Sequence, residues 1–314
     1  MIISASRRTD IPAFYADWFV NRLRAGFVCV RNPHNPRQIG KIDLSPDVVD
    51  GIVLWTKNPS PMIDRLDALR DYPYYFQCTL TAYDRDVEAN LPSKNEVLIP
   101  AFQRLSKRAG KERVVWRYDP ILFNARYTMA YHLRYFRLLA ERLAGYTEKC
   151  TVSFLDFYPK IERNLAALGI VWPTAAQKEE LLLRFSEIAS QAGLAIDTCA
   201  EDGSYHHAGV PAAHCIDSER LERIGGYRLA AEKDKNQRAA CGCCASVDIG
   251  AYDSCGNGCQ YCYANHQQGA VLRRMAAHQP DSPLLLGRIE ECDQIKVREA
   301  VSLRWEPSLF DCGR

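Results

Sequence analysis

The run Cys255-Gly-Asn-Gly-Cys259-Gln-Tyr-Cys262-Tyr-Ala-Asn sets three thiols at C-x3-C-x2-C spacing, with an aromatic residue, Tyr261, directly before the third. Three thiolates can hold three irons of a [4Fe-4S] cluster, whereas a structural or electron-transfer cluster normally has a cysteine for every iron. The fourth iron is then open to a substrate. Closely spaced cysteines also suit a structural zinc site, although zinc commonly takes two C-x2-C knuckles. Here Gly256 and Gly258 separate the first two thiols and allow a tight loop around a cuboid cluster, because glycine reaches backbone conformations closed to other residues.

A second group of thiols precedes this motif: Cys241-Gly-Cys243-Cys244, with Cys199 and Cys215 further upstream. Four ligands drawn from these five could hold an auxiliary cluster or a zinc ion. Cys199 and Cys215 also fit the commonest fate of free cysteine, a small buried side chain. Cys29, Cys78, Cys150, Cys292 and Cys312 read as packing residues, and His206 and His207 as surface or loop residues.

These sites need a scaffold, and composition supplies an ordinary one. A chain of 314 residues, 47% hydrophobic and 25% charged, is long enough to bury a large core. A net charge of +2 gives no global attraction to nucleic acid. Thirteen cysteines would suggest disulfides in a small secreted chain, but the start Met-Ile-Ile-Ser-Ala-Ser-Arg-Arg reads as having no signal peptide. No apolar stretch approaches the roughly 20 residues that span a bilayer. The expectation is a soluble, cytoplasmic protein with reduced thiols and bound metal.

Candidate strands are Ile2–Ala5, Phe27–Val30, Gly51–Trp55, Tyr74–Leu80, Arg113–Arg117, Thr151–Phe154 and Leu194–Cys199, rich in β-branched and aromatic residues. Helical patterns lie between them. The first is capped by Thr9 or Asp10, has Pro12 in its first turn and ends at Gly26; others run near Pro61–Arg70, Lys94–Arg108, Thr128–Ala144 and Ala175–Ala192. Alternating strand and helix predicts a parallel sheet with right-handed crossovers, as a full or partial (β/α) TIM-type barrel. Residues 1–200 would form the barrel and 201–314 a cysteine-rich iron-sulfur segment packed over its mouth.

In such barrels, chemistry collects where strands run into βα loops. Polar residues stand at those places: Ser6 to Asp10, Arg31 and Asn32, Thr56 to Asn58, Thr79 and Thr81, Arg117 to Asp119, Ser153 and Asp156, and Cys199 and Glu201. Loop residues are polar in any case, and Asp10 or Asp119 can serve only as a helix cap or a turn residue. Lys57 and Arg117 carry more weight, because a positive charge at the end of an apolar strand needs an anionic partner, either protein carboxylate or ligand.

The C-x3-C-x2-C spacing resembles that of the radical S-adenosylmethionine (SAM) superfamily. There the open iron takes the amino and carboxylate groups of SAM, and the aromatic residue before the third cysteine, here Tyr261, lies near the adenine. Four further segments, Ser4 to Pro12, Val53 to Pro59, Val115 to Pro120 and Lys233 to Arg238, together with Asp248-Ile249-Gly250 leading into the cysteines and Tyr263-Ala264-Asn265 after them, resemble the bacterial domain of unknown function 1848 family over almost the whole chain. That family is thought to be related to radical SAM proteins. The departure is in order: the standard cysteine loop follows the first barrel strand, whereas here it follows the last candidate strand.

The resemblance implies an enzyme in which a reduced cluster passes an electron to SAM and the resulting radical takes a hydrogen from an unknown substrate. Arg7, Lys57 and Arg117 would fix an anionic substrate; Asp10, Asp119, Asp156 and Glu201 would order its hydroxyl or amine groups. Tyr261, Asn58 and Glu201 would contact SAM, Glu201 through the amino group. A flavodoxin or ferredoxin would donate the electron. The alternative is a barrel stabilised by zinc or Fe-S that binds nucleic acid or a partner through Arg104–Arg113 and Arg228–Arg238, whose interleaved acids weaken a phosphate-binding stripe. A metal-independent hydrolase using the carboxylates would leave the cysteine motif without a role.

Overall fold

A computed structural model describes residues 1–201 and 205–305; Cys312 lies outside the described residues. Its strands are β1 (Ile2–Ala5), β2 (Phe27–Arg31), β3 (Gln38–Asp43), β4 (Gly51–Thr56), β5 (Tyr74–Thr79), β6 (Val114–Ile121), β7 (Lys149–Phe154), β8 (Ala195–Thr198), β9 (Val247–Asp248) and β10 (Gln294–Val297). The α-helices are α1 (Ile11–Phe14), α2 (Ala16–Ala25), α3 (Ser60–Ile63), α4 (Ile99–Ala109), α5 (Met129–Leu143), α6 (Glu162–Ala167), α7 (Ala175–Gln191), α8 (Ser218–Gly225) and α9 (Gln268–Ala276). None is long and apolar enough to cross a membrane among the described residues.

Seven strands pair in the order β8-β7-β6-β5-β4-β1-β9, every neighbouring pair parallel. The result is a mixed α/β protein built on a helix-flanked parallel sheet. Strand periodicity divides its side chains between two faces. Ile3 and Ala5 of β1, Ile52 and Leu54 of β4, Phe76 and Cys78 of β5, and Trp116 and Tyr118 of β6 enter the main core, which helices α2, α4, α5 and α7 complete. Phe136 of α5 stacks on Phe185 of α7 with ring centroids 3.8 Å apart and on Trp116 at 4.9 Å. The intervening residues Ile2, Val53, Tyr75 and Val115 face the other way, into a second cluster with Ile216, Leu221, Cys215, Cys241, Cys243 and Cys244.

Two sequence expectations change here. The strand at Phe27–Val30 exists but leaves the main sheet: β2 pairs antiparallel with β3, and β10 adds to the other edge of β3. Arg31, expected at the barrel mouth, is therefore held by Asp293 in that small sheet, at 2.6 Å and 2.8 Å. The first helix is interrupted at Tyr15. Asp10 caps its first turn by accepting from Ala13 N, as its sequence position suggests, and Gly26 ends its second part in the left-handed region at φ +72°. Residues beyond 201 join both sheets through β9 and β10, and others among them, Cys215, Ile216, Leu221, Cys241, Cys243 and Cys244, pack on the second face of the main sheet. Cys29, Cys78 and Cys150 are buried as expected of packing residues; Cys292 is exposed.

Candidate functional site

The Cys255–Cys262 loop docks at the carboxyl ends of β1, β4 and β5. Tyr15 donates to Ser254 O at 2.6 Å, Asn257 Nδ2 to Asp10 Oδ2 at 3.1 Å, Asn90 Nδ2 to Gly256 O at 2.9 Å, and Gln260 N to Val87 O at 2.9 Å. The two glycines have different duties. Gly258 has φ +68°, whereas a Cβ on Gly256 would stand 3.0 Å from the Phe14 ring. Asp10 accepts from Lys57 N at 2.7 Å as well as from Asn257 and Ala13, so one buried carboxylate ties the first helix, the end of β4 and the cysteine loop together. Burial pushes its carboxyl up, against these hydrogen bonds.

The thiols of Cys255, Cys259 and Cys262 are free and partly buried. Burial pushes all three up, Cys259 to about 12; Cys259 and Cys262 raise Cys255 further, and Cys262 raises Cys259, as neighbouring thiols do.

Beside them lies a residue the sequence reading overlooked. Glu88 follows Thr81 in a turn and its side chain is only 1% exposed. Its Oε1 accepts from Lys57 Nζ at 2.7 Å, Thr81 Oγ1 at 2.9 Å and Tyr261 OH at 2.6 Å; its Oε2 accepts from Lys94 Nζ at 2.6 Å. Burial alone would raise this carboxyl, but Lys57 and Lys94 hold it at about 2. Lys57, expected to meet an anionic substrate, has a protein carboxylate as its partner. Its ammonium also lies 5.5 Å from the Tyr261 ring centroid.

The segment after β1 is fixed by Asp248 of β9. Ser4 Oγ and Arg7 N donate to Asp248 Oδ2 at 2.9 Å and 2.8 Å, and Ser6 Oγ and Gly250 N donate to Oδ1 at 2.7 Å and 2.9 Å. Gly250 must be glycine for space: a Cβ there would fall 2.0 Å from Ser6 Oγ and 2.6 Å from Ser6 Cβ. Gly250→Ala is expected to lower stability by about 1–3 kcal/mol through overpacking, measured as a shift of the urea midpoint; an unchanged midpoint would show that Ser6 yields freely. Arg7 leaves this clamp with its side chain unmatched. Its Nη2 is buried with no hydrogen-bond partner and its guanidinium lies 5.6 Å from the Trp55 ring centroid. Tyr263 OH, one residue after Cys262, donates to the Arg7 carbonyl at 3.1 Å.

Arg117 belongs to the second group. It donates to Asp119 Oδ2 through Nε at 3.0 Å and Nη2 at 2.6 Å, and to Cys215 Sγ through Nη1 at 2.8 Å. Asp119 Oδ1 also accepts from Ser153 Oγ. This pair was expected to face substrate and instead supports the thiols. Cys199 Sγ and Cys215 Sγ are 2.8 Å apart, Cys243 Sγ accepts from Ile216 N at 3.4 Å, and Cys215, Cys241 and Cys243 share one buried cluster. Interaction among these neighbouring thiols pulls Cys215 and Cys241 down and pushes Cys199 and Cys243 up.

The other expected site residues have protein partners. Glu201 accepts from Phe154 N at 2.8 Å and Lys178 Nζ at 3.0 Å, so both its oxygens are engaged on the β7 and β8 side of the sheet. Asp156 accepts from Arg238 at 2.6 Å, and Asn58 accepts from Ser60 N at 3.2 Å as a turn residue. Within the basic segments, Arg108 pairs with Asp67, Arg113 lies over Tyr74, and Lys235 pairs with Glu232.

Among the described residues, no group of three or more His, Cys, Asp and Glu side chains is arranged to hold a metal ion. A polynuclear cluster sets a different requirement, since each thiolate binds its own iron and the donors need not converge on one point. Three free thiols on one docked loop, beside a buried lysine, have the donor chemistry for such a cluster. No curated protein matches the chain. Residues 2–264, from β1 through the last thiol of the loop, match the family described as domain of unknown function DUF1848. The span takes in the Asp248 clamp, the Glu88 hub and both cysteine groups, and the chain belongs to that family.

Proposed function

We propose that this protein is a radical SAM-type iron-sulfur enzyme that cleaves S-adenosylmethionine reductively and takes a hydrogen from an anionic substrate, with β1 and β4 to β8 forming a partial (β/α) barrel. In this reading Cys255, Cys259 and Cys262 each give a thiolate to a [4Fe-4S] cluster. The loaded cluster supplies the electron for cleavage. Asp10, Asn90 and Tyr15 hold the loop in register, and Glu88 fixes the Tyr261 hydroxyl and so the orientation of its ring. Arg7 presents its unpartnered Nη2 to a carboxylate, while Lys57 and Arg117 act as structural cations.

One observation carries the reading. The three-thiol loop is fastened at the carboxyl ends of parallel strands, where ligands of α/β sheets bind, next to a half-buried arginine whose Nη2 is a buried, unused donor. The test is anaerobic purification followed by iron and sulfide analysis, electron paramagnetic resonance with and without SAM, and assay for 5′-deoxyadenosine, with reduced flavodoxin or ferredoxin as electron donor. The expected result is a reduced-cluster signal that changes when SAM is added and disappears when Cys255, Cys259 and Cys262 are all changed to alanine. A protein that holds zinc alone, or whose iron and spectrum survive that triple change intact, would overturn it.

A further inference from the structure

We infer that Cys199, Cys215, Cys241 and Cys243 hold a second iron-sulfur cluster on the inner face of the main sheet, and that Cys244 is not a ligand. The inference uses thiols for which the radical SAM reading has no role, so the two can fail separately.

The four thiols come from distant parts of the chain: Cys199 just past β8, Cys215 before α8, and Cys241 and Cys243 from the turn that leads to β9. Each is carried by anchored backbone. Cys199 N donates to Val152 O at 2.8 Å, Tyr75 OH and Gln77 Nε2 donate to Cys215 O at 2.7 Å and 2.9 Å, and Asp234 N donates to Cys243 O at 2.9 Å. The Lys233 to Arg238 segment therefore acts as the frame of this turn. Their side chains gather on one face of the main sheet: Cys199 Sγ and Cys215 Sγ lie 2.8 Å apart, and Cys215, Cys241 and Cys243 share one buried cluster against which Cys199 packs. Cys244 is buried in the same cluster, but its backbone bridges to Lys233 and donates N to Ile216 O at 3.0 Å, and because successive side chains of extended chain alternate in direction, Cys241 and Cys243 share a side that Cys244 does not.

Arg117 gives the second line of evidence. It is 5% exposed and aims Nη1 at Cys215 Sγ from 2.8 Å. Asp119 already matches its Nε and Nη2; for the remaining buried Nη1 a neutral thiol is a weak acceptor, whereas a metal-bound thiolate is a strong one. A single ion would need donors converging on one centre, an arrangement not found among the described residues. A cluster takes one thiolate at each iron and so needs the four separated. Rotation about one Cα–Cβ bond moves a sulfur by about 3 Å, enough to part Cys199 from Cys215 without moving the backbone.

The experiment uses the full-length chain purified anaerobically, with iron, sulfide and zinc counted per chain. The wild-type protein is expected to hold about eight irons, and the Cys255, Cys259 and Cys262 triple alanine variant about four. Conversely, Cys215→Ser with Cys243→Ser is expected to retain about four irons and the SAM-responsive signal, which keeps the test open if the triple variant does not fold. Cys244→Ser is expected to leave the count unchanged. Loss of all iron in a folded triple variant, one zinc per chain in place of the second four irons, or an unchanged count in the Cys215 and Cys243 double variant would each overturn the inference. A triple variant with full wild-type iron would instead strike at the radical SAM reading alone.

Discussion

Glu88→Ala is expected to lower the stability of the protein by about 3–5 kcal/mol, the cost of leaving buried charges without their partner. The carboxylate that is lost neutralises Lys57 and Lys94, and Tyr261 and Thr81 lose the same acceptor. Glu88→Gln keeps the shape and one carbonyl acceptor, so it should fall between wild type and alanine. Adding Lys94→Met to Glu88→Ala should recover part of the loss, because one unpaired cation is removed with it. Denaturant melts measure all three. A Glu88→Ala protein within about 1 kcal/mol of wild type would mean that water or a rearranged cation replaces the carboxylate at little cost.

The second large effect is one of pH. His132 of α5 is buried between Tyr118 OH, 2.9 Å from its Nδ1, and Leu122 O, 2.8 Å from its Nε2, and burial holds its ring at about 4. The unfolded chain protonates this ring near pH 6.5. Between those values the unfolded state binds more protons than the folded one, so the contribution is complete above about 6.5 and is lost as the pH falls towards about 4. The shift corresponds to about 3 kcal/mol. Urea melts at pH 7, 5.5 and 4.5 should show the decline, and His132→Gln, which cannot take up the proton, should show a shallower one. Parallel declines in the two proteins would assign the acid sensitivity to other groups.

Local chemistry made much of this architecture legible. β1 lies at Ile2–Ala5 as its apolar run predicts, and Asp10 caps the first helix as a residue before Ile-Pro should. Local pattern does not reveal strand partners. Phe27–Arg31 has the composition of a sheet strand, but its placement depends on Gln38–Asp43, whose Gly40, Lys41 and Asp43 disguise a strand, and on Gln294–Val297, which is exposed throughout. Buried charge was the other blind spot. Glu88 stands in the run Arg85-Asp86-Val87-Glu88-Ala89-Asn90, which reads as a solvated turn, and only the arrival of Lys57, Lys94 and Tyr261 from elsewhere makes it a hub. Lys57 and Arg117 were recognised as cations needing anionic partners; what sequence left open was whether the anion belonged to the protein.

The pairing of β9 with β1 also imposes an order on synthesis. The first strand made in the chain waits at the margin of the sheet for a neighbour that leaves the ribosome only when Val247 and Asp248 are translated. Until then Ser4, Ser6 and the Arg7 amide lack the carboxylate that clamps them. The Cys255–Cys262 thiols emerge later still. A nascent or truncated chain can thus collapse most of its core without possessing the loop, so the three thiols are delivered onto a scaffold already assembled to receive them.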